Sequence, residues 1–294
     1  MSAFLFYNRF TGAGAVGKVN KDDFRTTSTI ADGGFAAGWA ILESVGAGVY
    51  FYNASTGEAA SGHEERGSFK TDGTEPPGFL AKSWTHIQGG MDSNLLFYRA
   101  PTGEGAIVRG RTTTKSYPEG SFARSWSHVV NDGGHSTLFY NAATGAGAIA
   151  EWYDSTPTPN EFSGTDDIRT VKSYKAGSFA PGWSRIEPMA DRKILFYNRQ
   201  TGAGAVGELS GSGFTTLHSY AAGSFTTGWT HIASDGEALV FYNSGNGAGA
   251  VGFSPIRAAL GLDPERKAYP PGSFKTGWTH LVGMKGFGVP PVLR

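Results

Sequence analysis

The chain has 294 residues, with 25 basic and 25 acidic side chains, a formal net charge of +0 and no cysteine. Balanced charge argues against nucleic acid or an anionic membrane as the partner, and the lack of cysteine excludes disulfide bonds and thiol chemistry. No apolar run reaches the roughly 18 residues that a membrane-spanning helix needs. We therefore predict a soluble protein. Because the chain starts directly with a strand pattern, we expect no cleavable signal, and the sequence leaves the compartment open between the cytoplasm and non-classical export.

Six copies of one unit follow each other along the chain. Each copy starts with a strand pattern of the type Leu-Phe-Tyr-Asn, near residues 4, 49, 95, 137, 194 and 239. A Thr-Gly turn, a run of small residues, a variable segment and the motifs Gly-Ser-Phe and Gly-Trp complete the unit. The tyrosine recurs about every 45 residues, except that the fourth copy carries an insertion, and this length is typical of a four-stranded propeller blade.

The position of the length variation predicts the order of the strands in a unit. Insertions fall after the small-residue run, and the outermost hairpin of a blade is the part that varies most freely. The tryptophan strand is therefore the first and innermost, the tyrosine strand the second, the small-residue run the third and the variable segment the fourth. In this order the chain begins at a second strand, 4–8, and ends just after a first strand, 278–282.

These observations predict an all-β fold, namely a six-bladed β-propeller of four-stranded antiparallel blades in a single domain over residues 1–294. The C-terminal strand 278–282 completes the first blade and closes the ring by pairing with the N-terminal strand, which removes both open edges. Only residues 256–262, in the variable segment of the sixth unit, have a pattern that fits a helical turn.

The combination of a Gly-Trp motif that leads a strand (228–232), a Leu-Phe-Tyr strand (195–198) and a turn glycine resembles the repeat of tachylectin-type β-propeller lectins. It is also similar to bacterial tandem-blade propeller lectins. The resemblance extends from Phe4 to about Val282 and implies a multivalent lectin whose partners are glycans or glycoconjugates. The sequence lacks the Asp-Asn-Trp segment of the tachylectin-type repeat, so no sugar-binding residue is transferred from that family.

Two loops of each unit emerge on the same face of a propeller, and these loops are the segments most alike among the six copies. This likeness predicts similar pockets between the blades on one face. The candidate ligand-binding residues are the asparagines that follow the tyrosine and the tryptophans of the Gly-Trp or Ser-Trp motif, namely Asn8, Asn53, Asn141, Asn198, Asn243, Trp39, Trp84, Trp126, Trp183, Trp229 and Trp278. Turn capping by the asparagines and packing between blades by the tryptophans are the structural alternatives. A protein-interaction scaffold is the alternative function.

Other motifs indicate structural roles. The motif G-x-G-x-x-G occurs at 12–17, 202–207 and 247–252, but no helix follows it as a dinucleotide site requires, so it favours close packing of blades. The second residue after each tryptophan is His86, His128, His231 or His280, with Arg185 and Ile41 in the other two repeats. This position does not favour a shared metal site, because arginine does not ligate metals and isoleucine is aliphatic. The histidine ring nitrogens are instead expected to bond to the backbone between blades. Acidic pairs such as Asp166 and Asp167 are expected in solvated turns, and Trp152 has no assigned role. We find no catalytic motif and predict no enzymatic activity, no cofactor and no metal.

Overall fold

The computed structural model describes residues 2–155, 165–211, 213–253 and 263–284. These ranges form six antiparallel sheets of four strands each, which confirms the predicted six-bladed β-propeller. A single helical element, the 3₁₀ turn Met91–Ser93, is present in them. The helical turn predicted for 256–262 lies outside the described residues.

In each blade the strands follow one another from the centre of the ring outward. From innermost to outermost, blade 1 has β24 (His280–Met284), β1 (Ser2–Tyr7), β2 (Gly14–Asn20) and β3 (Asp23–Ile30). Blade 2 has β4 (Ile41–Val45), β5 (Gly48–Tyr52), β6 (Ala59–Glu65) and β7 (Ser68–Glu75). Blade 3 has β8 (His86–Gly89), β9 (Asn94–Arg99), β10 (Glu104–Arg109) and β11 (Thr112–Tyr117). Blade 4 has β12 (His128–Asn131), β13 (Ser136–Asn141), β14 (Ala146–Tyr153) and β15 (Asp167–Tyr174). Blade 5 has β16 (Arg185–Pro188), β17 (Lys193–Tyr197), β18 (Gly204–Ser210) and β19 (Gly213–Tyr220). Blade 6 has β20 (His231–Ser234), β21 (Ala238–Tyr242), β22 (Gly249–Phe253) and β23 (Asp263–Tyr269).

The ring is closed by the two ends of the chain. Strand β24 pairs with β1 in antiparallel register, with Ala3 opposite Met284 and Tyr7 opposite His280. The predicted pairing is thus confirmed, but the C-terminal strand begins at His280, two residues later than the sequence predicts. Trp278 lies before the strand because its backbone N–H bonds to the hydroxyl of Tyr242 in blade 6.

The tyrosine strands form the core because both of their faces are covered by neighbouring blades. In β1, Leu5 and Tyr7 pack with Phe51 of blade 2, whereas Phe4 and Phe6 pack against blade 6. Successive side chains of a strand point to opposite faces, so one strand serves two junctions. This explains why the Leu-Phe-Tyr pattern is continuously apolar, while the outer strands alternate between half-buried and exposed residues.

A hydrogen-bonded clamp fixes each linker between blades. In every repeat the tyrosine hydroxyl donates to a linker carbonyl and accepts from the backbone N–H of the following tryptophan, as Tyr7 does with Ala36 and Trp39. The glycines of the small-residue run make room for the linker phenylalanine. A Cβ on Gly14 would stand 2.4 Å from a ring carbon of Phe35, so this position excludes any larger residue. The motif therefore packs blades together, as predicted.

Histidines and an arginine at the start of the inner strands link their blades to the next. The Nε2 atoms of His231 and His280 lie 2.9 and 3.1 Å from carbonyls of the following blade, and the Nε of Arg185 donates to Thr230 at 2.8 Å. This arrangement confirms the structural role predicted for these residues. Burial, with a smaller effect of nearby positive charge, lowers the pKa of His128 and of His231 to about 4.

The acidic pair at the end of the blade 4 insertion differs from the prediction. Asp167 is 6% exposed and accepts hydrogen bonds from Lys115 at 2.8 Å, from Tyr153 at 2.9 Å and from Tyr117. The expectation of a solvated turn is therefore wrong for Asp167, because blade 3 supplies donors that a single repeat does not reveal. Burial alone would raise the pKa of Asp167, but these hydrogen bonds outweigh it and hold the pKa below its ordinary value.

Trp152 also contributes to the junction of blades 3 and 4. Its side chain is 3% exposed, and its indole N–H donates to the hydroxyl of Thr137 at 3.1 Å. Its ring lies so close to Gly90 that a Cβ there would stand 2.3 Å from a ring carbon. The tryptophan without a sequence-based role is thus a packing residue.

Candidate functional site

Two concave pockets lie between blades at different positions around the ring. The pocket between blades 6 and 1 has a volume of about 460 Å³, and that between blades 2 and 3 about 450 Å³. In each, one wall is the linker that carries the phenylalanine or leucine and the tryptophan. The other wall is formed by the third and fourth strands of the following blade.

The two pockets are built from the same positions of different repeats. The first is lined by Trp278, Lys275, Gly14 and Thr26, and the second by the corresponding residues Trp84, Ala81, Gly105 and Thr113. The correspondence of Lys275 and Ala81 follows from the clamp, since each carbonyl accepts from the tyrosine hydroxyl of its repeat. The pocket is thus a feature of the repeat, although its side chains vary.

Each predicted tryptophan packs on the phenylalanine of the next tyrosine strand. Ring centroids lie 5.8 to 6.2 Å apart in all six pairs, namely Trp39–Phe51, Trp84–Phe97, Trp126–Phe139, Trp183–Phe196, Trp229–Phe241 and Trp278–Phe6. The rings are buried or half-buried. They therefore serve packing between blades, and in two junctions the same residues also form part of a pocket wall.

Cationic side chains lie over two of these rings. The ammonium of Lys275 is 5.1 Å from the ring centroid of Trp278, and the guanidinium of Arg99 is 4.8 Å from that of Trp84. Arg99 stands where the other repeats have asparagine, and it forms an ion pair with Glu104 at the edge of the pocket. Both pockets thus place a positive charge beside an aromatic surface.

The candidate asparagines cap turns. The Oδ1 of Asn198 accepts from the backbone N–H groups of Gln200 and Thr201 at 3.0 and 3.1 Å. Asn8, Asn53, Asn141 and Asn243 accept in the same way from their own turns. The Nδ2 atoms of three of them donate to the preceding linker. No asparagine lines either of the two pockets between blades, so the structure brings the tryptophans but not the asparagines to these pockets.

A third cavity, of about 640 Å³, lies at the centre of the ring between the inner strands. Its carboxylates bridge neighbouring strands. Glu43 accepts from the side chain of Gln88 at 2.6 Å, and Glu187 accepts from the backbone of Ser234 at 2.7 Å. Within the described ranges no group of three or more histidine, aspartate and glutamate side chains is placed to hold a metal ion.

Sequence reasoning missed the threonines of the outer strands. Thr26 and Thr113 stand four residues before the end of β3 and β11, and both line a pocket. The same position holds Thr71, Thr170 and Thr216 in three further outer strands. The signal was present in the sequence, but it lies in the segment of variable length, where counting from the tyrosine strand does not align the repeats.

No protein-family model matches the chain, and no curated protein matches its sequence. Solved structures do match it. A chain from the crystal structure of a nidogen/laminin complex aligns with a TM-score of 0.53 and 10% identity, covering 98% of this chain and 100% of that chain. A putative 6-phosphogluconolactonase from Bacteroides fragilis aligns with a TM-score of 0.53 and 12% identity, covering 95% and 83%. The periplasmic gluconolactonase of Pseudomonas aeruginosa aligns with a TM-score of 0.52 and 11% identity, covering 97% and 99%.

Likeness at this level of identity shows the fold alone. It nevertheless overturns the prediction that the chain is not an enzyme. That prediction rested on missing motifs and on the similarity of the repeats, yet the same architecture occurs in proteins described as gluconolactonases. The lack of a familiar catalytic motif therefore does not exclude catalysis by a propeller of this kind.

The described part of the chain contains no helix with the length and apolar character needed to cross a membrane.

Proposed function

We propose that the protein binds carbohydrates at several similar pockets between its blades. The observation that carries this proposal is the recurrence of one pocket, built from equivalent residues of different repeats, at two separate junctions. A protein that needs only a scaffold has no requirement for a concave pocket at repeated positions. Repeated pockets on one body are what a multivalent binding protein uses.

The size and chemistry of the pockets support a small polar ligand. Volumes of about 450 and 460 Å³ fall in the range of small-molecule sites. Each pocket combines an indole and other apolar side chains with a cation and a threonine hydroxyl. A saccharide has apolar C–H faces that stack on aromatic rings and hydroxyls that need hydrogen-bond partners, so it matches both components.

Multivalency provides the affinity that a single shallow pocket lacks. A single site of about millimolar strength contributes roughly −4 kcal/mol of binding free energy. Engagement of several such sites by one glycosylated surface raises the overall affinity by about 10² to 10⁴ when the spacing permits it. The expected partners are therefore glycans or glycoconjugates that are displayed densely.

A glycan array followed by calorimetry tests the proposal. Wild-type protein is expected to bind a set of saccharides with more than one site per chain. Trp278→Phe and Trp84→Phe should each lose about one site, whereas Trp152→Phe, which alters a tryptophan outside both pockets, should keep them all. If the protein binds no glycan on the array and is saturated by a single protein partner, the scaffold alternative replaces this proposal.

A further inference from the structure

The junction of blades 5 and 6 differs from the two open pockets because a side chain of the protein occupies the corresponding place. Glu265, on the outer strand of blade 6, accepts at Oε1 from the indole N–H of Trp229 at 2.8 Å and from the backbone N–H of Thr226 at 2.7 Å. Its Oε2 accepts from the hydroxyl of Thr226 at 2.5 Å. Three donors thus converge on one carboxylate.

Equivalent donors are present in the two open pockets. Thr226 corresponds to Lys275 and Ala81, because all three carbonyls accept from the tyrosine of the clamp. Trp229 corresponds to Trp278 and Trp84. Among the described residues, none accepts a hydrogen bond from the indole nitrogens of Trp278 and Trp84 or from the backbone nitrogens of Lys275 and Ala81.

The difference between the junctions arises at one position of the outer strand. Glu265 stands four residues before the end of β23, where β3 and β11 have Thr26 and Thr113. A threonine is too short to reach the indole and backbone donors across the pocket. Both threonines line their pockets, so the space that the glutamate side chain occupies in one junction is open in the other two.

We infer that the pockets of blades 6/1 and 2/3 bind the carboxylate of an acidic saccharide, and that Glu265 imitates this ligand at the 5/6 junction. The inference rests on the proposed carbohydrate binding and specifies its ligand class. A carboxylate in the place of Glu265 accepts hydrogen bonds from an indole N–H and a backbone N–H. Hydrogen bonds to a charged acceptor are stronger than those between neutral groups.

The charge at the 6/1 pocket favours an anionic ligand, and the difference in charge ranks the two sites. Lys275 lies beside Trp278 at the 6/1 pocket, and its ammonium forms no ion pair with a carboxylate of the described residues. Arg99 at the 2/3 pocket is already engaged with Glu104. The 6/1 pocket should therefore bind an acidic saccharide more tightly than the 2/3 pocket.

Indole N–H resonances report on each site separately. We would titrate ¹⁵N-labelled protein with galacturonate, with galactose as the neutral sugar of matched shape, and with acetate as a carboxylate without a sugar. Galacturonate should shift the indole resonances of Trp278 and Trp84 and leave that of Trp229 in place. Its affinity should exceed that of galactose by about tenfold, the effect of a hydrogen bond to a charged group.

Two substitutions should open the filled junction and fill an open one. Glu265→Thr should open the 5/6 junction, so that the resonance of Trp229 responds to galacturonate and calorimetry gains about one site. Thr26→Glu should fill the 6/1 pocket and abolish the response of Trp278. Glu265→Gln keeps an acceptor in the same place and serves as the control, and backbone spectra report whether each variant is folded.

The outcomes separate this inference from the proposed function. Binding of neutral saccharides without preference for galacturonate, or a folded Glu265→Thr variant in which Trp229 stays unresponsive, would overturn the carboxylate site and leave carbohydrate binding intact. If acetate shifts Trp278 but no saccharide binds on an array, the carboxylate site is supported and the carbohydrate proposal fails. An acidic peptide that binds more tightly than galacturonate at Trp278 would overturn the saccharide assignment.

Discussion

Two tyrosines of one strand provide a matched test of how much the linker clamp stabilises the propeller. Tyr50 and Tyr52 both lie in β5 and are 1% and 0% exposed. The hydroxyl of Tyr52 donates to the carbonyl of Ala81 at 2.7 Å and accepts from the backbone N–H of Trp84 at 3.4 Å. The hydroxyl of Tyr50 is buried and has no partner among the described residues.

The two Tyr-to-Phe substitutions should have opposite effects. Tyr52→Phe removes two hydrogen bonds and leaves a carbonyl and an N–H without their partner, which costs about 1–3 kcal/mol of unfolding free energy. For a domain of this size that corresponds to a fall in Tm of about 2–10 °C. Tyr50→Phe removes a hydroxyl whose desolvation is uncompensated, so we expect no loss or a gain of up to about 1 kcal/mol.

Guanidinium chloride unfolding followed by circular dichroism, with calorimetry in parallel, measures both effects. The m-value should stay constant, because neither change alters the surface exposed on unfolding. The reasoning fails if Tyr52→Phe is as stable as the wild type. It also fails if Tyr50→Phe loses as much as Tyr52→Phe, because the loss would then follow from ring packing and not from the clamp.

Three further predictions concern pH, closure and a buried charge. Because the folded-state pKa values of His128 and His231 are lowered to about 4, stability should be full above about pH 6.5 and fall as the pH drops toward 4, by on the order of 3 kcal/mol for each histidine. Deleting residues 280–294 should abolish cooperative unfolding, because it removes the strand that pairs with β1 and uncovers the core. Asp167→Asn should lower the unfolding free energy by about 1–3 kcal/mol, because the buried carboxylate accepts hydrogen bonds from Tyr117, Tyr153 and Lys115 and an amide cannot accept all three.

Each of these has a control or an outcome that would contradict it. Replacing both histidines by glutamine should reduce the loss of stability at acid pH. An unchanged loss would assign the acid sensitivity to other groups, such as carboxylates or His86 and His280, whose pKa values are also lowered by burial. Deleting only residues 285–294 keeps the whole of β24, so a comparable loss in that variant would contradict the closure argument. If Asp167→Asn leaves the unfolding free energy unchanged, the neutral amide satisfies the same donors and the charge of Asp167 contributes little to stability.

The blades and their closure could be predicted from the sequence because each depends on patterns within one repeat. A strand covered on both faces must be apolar throughout, so the Leu-Phe-Tyr signature is visible without any neighbour. The strand order follows from where length varies, and the ring closure follows from that order. The backbone role of the histidines was predictable for a similar reason, since Arg185 in the same position excludes a shared metal site.

The location of the candidate site could not be predicted, because it depends on which donors are already used. The sequence shows that an asparagine recurs at the position of Asn198. It does not show that the side-chain oxygen of Asn198 already accepts hydrogen bonds from its own turn. It shows Trp229 and Trp278 at equivalent positions. In the structure, Glu265 of blade 6 accepts a hydrogen bond from the indole N–H of Trp229 and not from that of Trp278. The likeness of the linker face, which suggested repeated pockets, follows largely from the hydrogen bonds between turns and linkers.

The sequence by itself therefore determined the architecture, and the tertiary structure decided the chemistry of the pockets. Repetition along the chain specifies one supersecondary unit, and stacking six of them buries a continuous core. The free hydrogen-bonding groups at each junction instead depend on side chains from different blades, such as Thr26 against Trp278 and Glu265 against Trp229. Those pairs are brought together only when the ring is formed.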